Sequence, residues 1–158
     1  MKEVFKAITK NAKETEKIAE IFAHEVLMLK QSRAVVVGLE GDLGAGKTTF
    51  SKGFARGLGI REEMKSPTFI LMRVFKTGSA SRRKNLMHFD AYRIDSEKEF
   101  MSLGIKEYLK NPKNILLIEW SDRIKKALPK KYFLFKLKHF DSPERRAGKN
   151  KREIIFYA

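Results

Sequence analysis

The feature that most restricts the fold is a single stretch of eight residues, Gly41-Asp42-Leu43-Gly44-Ala45-Gly46-Lys47-Thr48. It satisfies every fixed position of the phosphate-loop pattern, which requires a strand just before it and a helix just after. Both are legible. Ala34-Val35-Val36-Val37 is an unbroken apolar, β-branched run of the kind buried on both faces of a parallel sheet, and Thr49 to Leu58 reads as a helix closed by Gly57 and Gly59. Each residue type has a chemical reason. Gly41, Gly44 and Gly46 permit backbone angles closed to other residues and let amides approach phosphate oxygens. Those amides and the helix N-terminus form an anion nest. Lys47 brings a charge to the terminal phosphates, and the Thr48 hydroxyl is a hard oxygen ligand of the sort magnesium takes. Ala45 and Thr49 complete the expected cradle. The ligand class is a nucleoside triphosphate with its magnesium ion. The bland alternative is a ligand-free strand–helix turn, which the flanking strand and helix patterns disfavour.

The remainder of the chain extends this unit. Val4 to Ile8 suits a short edge strand, and Asn11 with Glu14 forms a capping pattern ahead of Ile18, Phe22, Val26 and Leu29 at helical spacing. Ser66-Pro67-Thr68 reads as a loop, Phe69 to Phe75 as a strand, Lys76 to Lys84 as a solvated turn, and Asn85 to Phe89 as the returning strand. Ser96 with Glu99 begins a helix interrupted at Gly104. Ile115 to Ile118 is a second buried strand, and Ser121 to Leu128 a short helix stopped by Pro129. Tyr132 to Lys138 alternates, and Glu153 to Tyr157 closes as a final strand. The expectation is an α/β fold, a P-loop NTPase-like sandwich around a mixed central sheet, in one domain spanning residues 1–158.

Phosphoryl chemistry on such a loop needs a carboxylate near the metal, usually at the end of a buried strand. Asp90 follows Leu86-Met87-His88-Phe89, and Glu119 follows Ile115-Leu116-Leu117-Ile118. One of the two would bind magnesium, directly or through water, while the other orients the attacking water. A solvated strand-end carboxylate is the ordinary reading of either alone; two in one such chain weaken it. Thr68 lies where a threonine senses the γ-phosphate in switch segments, although Ser-Pro-Thr is also common turn chemistry. Trp120 suits stacking on a base or partner, and equally a core position. His88, Tyr92 and Arg93 flank Asp90 and are candidates to orient it, with Arg93 also a candidate charge donor.

Composition narrows the class. The chain has 158 residues, no cysteine and no apolar run long enough to span a bilayer, so a cytoplasmic protein without disulfides or thiolate metal sites is expected. Its net charge is +15, from 34 Lys and Arg against 19 Asp and Glu. A field of that sign attracts polyanions, or serves solubility alone. Lys125, Lys126, Lys130, Lys131, Arg145, Arg146, Lys149, Lys151 and Arg152 make the last third unusually basic.

Taken together, the loop with Thr49, Ser-Pro-Thr-Phe (66–69), His-Phe-Asp-Ala-Tyr-Arg (88–93), Leu103-Gly104-Ile105 with Glu107-Tyr108, and Ile-Glu-Trp (118–120) occur in an order that resembles the TsaE family, formerly YjeE. The resemblance runs from about Asn11 to Trp120. It implies a P-loop α/β fold, binding of ATP and Mg2+, slow ATP hydrolysis, and work alongside TsaB and TsaD, which place threonylcarbamoyl on an anticodon-loop adenosine of tRNA. It also implies that Thr48 and Glu119 are the magnesium residues, Asp90 the Walker-B-like carboxylate and Thr68 the switch threonine, with Asn11 to Thr15 near the adenine. The basic last third is not explained by it; contact with tRNA or an acidic partner surface is the expectation there. Two rivals remain: a small-molecule kinase, with Lys76 to Lys84 posing as its lid, and a nucleotide-gated binding module. A Ras-type GTPase is disfavoured because no Asn/Thr-Lys-x-Asp sequence follows the loop.

Overall fold

The computed structural model describes residues 1–64, 71–78, 83, 85–140 and 150–158. Thr68 and the loop around it, the tip of the 76–84 turn, and Arg145, Arg146 and Lys149 lie outside the described residues.

Among the described residues seven strands form one mixed sheet: β1 (Glu3–Thr9), β2 (Val35–Glu40), β3 (Met72–Lys76), β4 (Asn85–Asp90), β5 (Asn114–Glu119), β6 (Phe133–His139) and β7 (Arg152–Tyr157). Their order is β1-β7-β6-β2-β5-β4-β3. The central four, β6, β2, β5 and β4, are mutually parallel, while β3, β7 and β1 join antiparallel at the margins. The β-branched and leucine runs of β2 and β5 therefore occupy the middle, where both faces are buried.

The sheet alternates side chains between two apolar layers. Val35, Val37 and Leu39 of β2 and Ile115 and Leu117 of β5 pack under α1 (Ala12–Met28) and α2 (Lys47–Gly57). Val36, Leu116 and Ile118 face α3 (Glu97–Ser102), α4 (Ile105–Lys110) and a 3-10 segment, Ser121–Ala127. A second 3-10 turn, Ala91–Arg93, follows β4. The same alternation puts Leu86, His88 and Asp90 of β4, and Ile115, Leu117 and Glu119 of β5, on the α2 side. The four parallel strands all end at one pole, and the glycine-rich loop leaves β2 there.

Local rules account for most boundaries. The Asn11 side chain accepts from the Glu14 amide at 3.0 Å while Glu14 accepts from the Lys10 amide at 2.7 Å, a reciprocal capping box. Ser96 and Glu99 repeat it for α3, with Asp95 giving the returned amide. Gly104, at φ +79°, separates α3 from α4. Two readings change. The segment after Trp120 is 3-10 with a kink at Ile124, because a residue at left-handed φ precedes it and Pro129 follows. Arg83, read as part of a solvated turn, is 2 % exposed and donates to the carbonyls of Leu29, Arg33 and Pro112, tying three connections together.

Candidate functional site

The loop meets the expectations placed on it by its glycines. Gly41 has φ +142°, and a Cβ there would sit 2.1 Å from the Leu137 carbonyl oxygen of β6. Gly46, at φ +103°, is the N-cap of α2 and supplies no capping side chain, and the first turn of the helix holds no acidic residue. The opening amides of an eleven-residue helix are thus left for an outside acceptor, and the dipole favours a negative one.

Lys47 extends from that turn and is almost buried. Its Nζ donates to the carbonyls of Gly41 at 2.6 Å and Asp42 at 2.8 Å and lies 3.5 Å from the centre of the Trp120 ring. Burial lowers its pKa from the ordinary 10.5, with the carboxylates of Glu119 and Asp90 opposing that shift. Trp120 itself has φ +60°, in the left-handed region, so the backbone is strained immediately after Glu119, a placement common at functional sites. Its ring also leans on Tyr92, centroids 5.0 Å apart.

Glu119 is the hub. It is 2 % exposed. Its Oε2 accepts from the Thr48 hydroxyl at 3.0 Å, and its Oε1 accepts from the Ser51 hydroxyl at 2.8 Å and faces His88 Nε2 at 2.8 Å. A carboxylate only accepts, so the ring nitrogen turned toward it carries the proton. His88 was expected to orient Asp90; it holds Glu119 instead, because residues 88 and 119 converge across the parallel β4–β5 pair. Among the described residues His88 Nδ1 has no hydrogen-bond partner. Asp90 occupies the register position beside Glu119 and is likewise 2 % exposed. Its Oδ1 accepts from the Tyr92 amide at 2.9 Å.

Ser51 was missed in the sequence, although it lies three residues after Thr48 on the same helical face. A cleft of about 410 Å³ opens beside the loop, lined by Asn11, Thr15, Gly44, Gly46, Thr49 and Arg152. Arg152 Nη2 donates to the Gly44 carbonyl at 3.1 Å. The structure thus gathers Gly41, Gly44, Ala45, Gly46, Lys47, Thr48, Thr49, Asp90 and Glu119 at one pole, while Thr68 lies outside the described residues. Lys76 and Asn85, which bound the supposed kinase lid, pair with each other where β4 begins, at the opposite pole.

Among the described residues no group of three or more His, Cys, Asp and Glu side chains is disposed to hold a metal. The oxygens at hand, one hydroxyl and two carboxylates, instead suit magnesium, which takes few protein ligands and completes its shell with phosphate and water. No helix among them is long and apolar enough to cross a membrane.

The sequence profile described as "Threonylcarbamoyl adenosine biosynthesis protein TsaE" matches residues 9–147. The chain belongs to the TsaE family. It is 39 % identical over 150 residues to the tRNA threonylcarbamoyladenosine biosynthesis protein TsaE of Bacillus subtilis, covering 95 % of this chain and 83 % of that one. The Rickettsia prowazekii protein of the same description is 37 % identical over 145 residues, 91 % and 93 % of the two chains. A crystal structure of Bacillus subtilis YdiB superposes with a TM-score of 0.73 at 32 % identity, over 99 % of this chain and 86 % of that one. The span matched by the family contains the loop, Asp90 and Glu119; Asn150 and Arg152 lie beyond it.

Proposed function

We propose that this member of the TsaE family binds ATP with Mg2+ on the Gly41–Thr48 loop and hydrolyses it slowly, as an accessory to tRNA threonylcarbamoyladenosine synthesis by TsaB and TsaD. The observation that carries this reading is the 3.0 Å hydrogen bond between Thr48 and Glu119. It brings a buried carboxylate from another strand onto the hydroxyl that opens α2, which is the pair of oxygens a magnesium ion at a phosphate loop requires. The ion would supply charge neutralisation for the phosphates and a fixed template for them.

The chain's own groups have separate tasks. The amides of residues 44–48 and the head of α2 receive phosphate oxygens. Lys47 turns from the Gly41 and Asp42 carbonyls toward the terminal phosphates, a short swing for a side chain already held over the loop. Thr48 and Glu119 hold the metal, Ser51 and His88 keep Glu119 in place, and Asp90, adjacent in register, aims a water. Thr68 is assigned to sensing the γ-phosphate on its place in the sequence and on the resemblance. Asn11 and Thr15 line the cleft assigned to the adenosine. The basic last third is the side assigned to tRNA.

A dedicated kinase is less well supported, because the ends of its only lid candidate stand at the pole away from the loop. Phosphate release without any acceptor separates the two: steady slow release fits an ATPase, and none fits a kinase. Capture of TsaB and TsaD that depends on ATP supports the accessory role. Capture indifferent to ATP and to Lys47→Ala speaks for a binding module.

A further inference from the structure

A cavity of about 1000 Å³, larger than the cleft beside the loop, lies at the pole where β2 and β6 begin. The strands between the two poles have six or seven residues, so it is roughly 20 Å from the phosphate loop. Its floor is apolar and partly aromatic: Ala34, Val36, Leu109, Pro129, Tyr132 and Phe133. Its rim carries Lys30, Arg33, Lys130 and Lys131, all exposed, and among the described residues no Asp or Glu lines it. A smaller pocket continues past Lys30 and Gln31 to Lys113, again without a carboxylate.

None of these five exposed cations has an ion-pair partner among the described residues, whereas Lys6, Lys17, Arg56, Lys110 and Lys136 elsewhere do. Five of the 34 Lys and Arg thus surround one concavity without a neutralising carboxylate side chain among the described residues. The two features together select the ligand. Cations alone would suit any polyanion, and an acidic protein face is the rival occupant that the polyglutamate arm of the test addresses. A base-paired duplex presents phosphates but hides its bases. An unpaired nucleic-acid strand offers both: phosphates for the rim and flat base faces for Tyr132, Phe133 and Pro129.

We propose that this cleft binds an unpaired or looped segment of RNA, at a site separate from the nucleotide. The proposal deepens the RNA part of the function above and does not depend on ATP chemistry. It also shifts the contact away from the hairpin end of the last third: Lys30, Arg33 and Lys113 come from earlier parts of the chain, and only Lys130 and Lys131 from the last.

The test is fluorescence anisotropy with a labelled tRNA anticodon stem-loop, titrated with the full chain over a range of salt. Lys130→Glu with Lys131→Glu is compared with Lys98→Glu with Lys106→Glu, which changes the net charge equally on exposed lysines outside the cleft and outside the basic last third. The cleft pair should weaken binding by about tenfold or more and flatten the logarithmic salt dependence by about 0.7 per lost phosphate contact. The outside pair should stay within about twofold of the parent. Lys30→Glu with Arg33→Glu, from the other wall, should repeat the cleft result. ATP titration of each variant shows that its fold is intact. If parent protein binds no ATP, the proposed function fails while the RNA comparison still stands. Equal loss in both lysine pairs, no loss in either, equal binding of a fully paired RNA of the same length, or displacement of the stem-loop by polyglutamate at lower charge concentration than by poly(U) would each overturn the proposal.

Discussion

Glu119 receives two hydroxyls and one imidazole through two buried oxygens, and this concentration of donors fixes what a substitution does. Glu119→Gln keeps the shape: its amide oxygen can accept from Ser51 and His88 while its N–H₂ donates to the Thr48 hydroxyl, so what is removed is the negative charge and the oxygen facing Thr48. Phosphate release should fall by about 10² or more, with ATP binding in the absence of magnesium little changed. Ser51→Ala removes a hydroxyl shared between Glu119 and the Lys47 carbonyl, and His88→Asn acts through Glu119; both should lower the apparent magnesium affinity before they alter ATP affinity, measurable by titrating magnesium at fixed ATP. Lys47 behaves differently. Its folded pKa lies below the ordinary 10.5, so the unfolded chain binds that proton more tightly. Stability is therefore gained as pH rises from the folded value toward 10.5. Relative to Lys47→Met, the parent protein should gain melting temperature across that alkaline window, while at neutral pH the variant should melt no lower than the parent and bind no ATP. Lys47 and Thr48 were legible in the sequence because their motif is contiguous. Ser51 was overlooked, and the His88–Glu119 contact was beyond reach, since it exists only once two strands 31 residues apart lie side by side.

Among the elements, α1 and α2 come unusually close. A Cβ at Gly53 would lie 2.2 Å from the Glu16 carbonyl oxygen, and one at Gly57 would lie 2.6 Å from that of Glu20. Gly53→Ala gains helix propensity of about 1 kcal/mol but must push α1 off its seat, and overpacking of this kind costs about 1–3 kcal/mol or more. A net loss of about 2 kcal/mol would lower the melting temperature by roughly 4–8 °C in a chain of this size. Because the first turn of α1 lines the cleft beside the loop, ATP affinity should fall with it, read by calorimetry on the folded variant. Helix starts were readable from Asn11 and Ser96, whose side chains cap their own helices. The 3-10 geometry after Trp120 was not, because it follows from a left-handed residue that propensity does not foresee. Nor was the burial of Arg83, which depends on three carbonyls supplied by distant connections.

At the scale of the molecule, strand content and the mixed character of the sheet followed from patterning, whereas strand order did not. It is the order β2-β5-β4 that sets Asp90 beside Glu119 and both near α2. The same topology separates two poles. One has the glycine-rich loop and the buried carboxylates; the other has the unneutralised cations around an apolar cavity. Under the proposed function, a pull-down of TsaB and TsaD should depend on ATP and on Lys47. Beneath all of this lies nucleotide binding at Gly41–Thr48, and calorimetric titration of ATP with magnesium tests it most directly. The parent protein should give one saturable site per chain, lost in Lys47→Ala and weakened in Thr48→Ala only when magnesium is present. No saturable heat, or a Lys47→Ala isotherm indistinguishable from the parent, would contradict it.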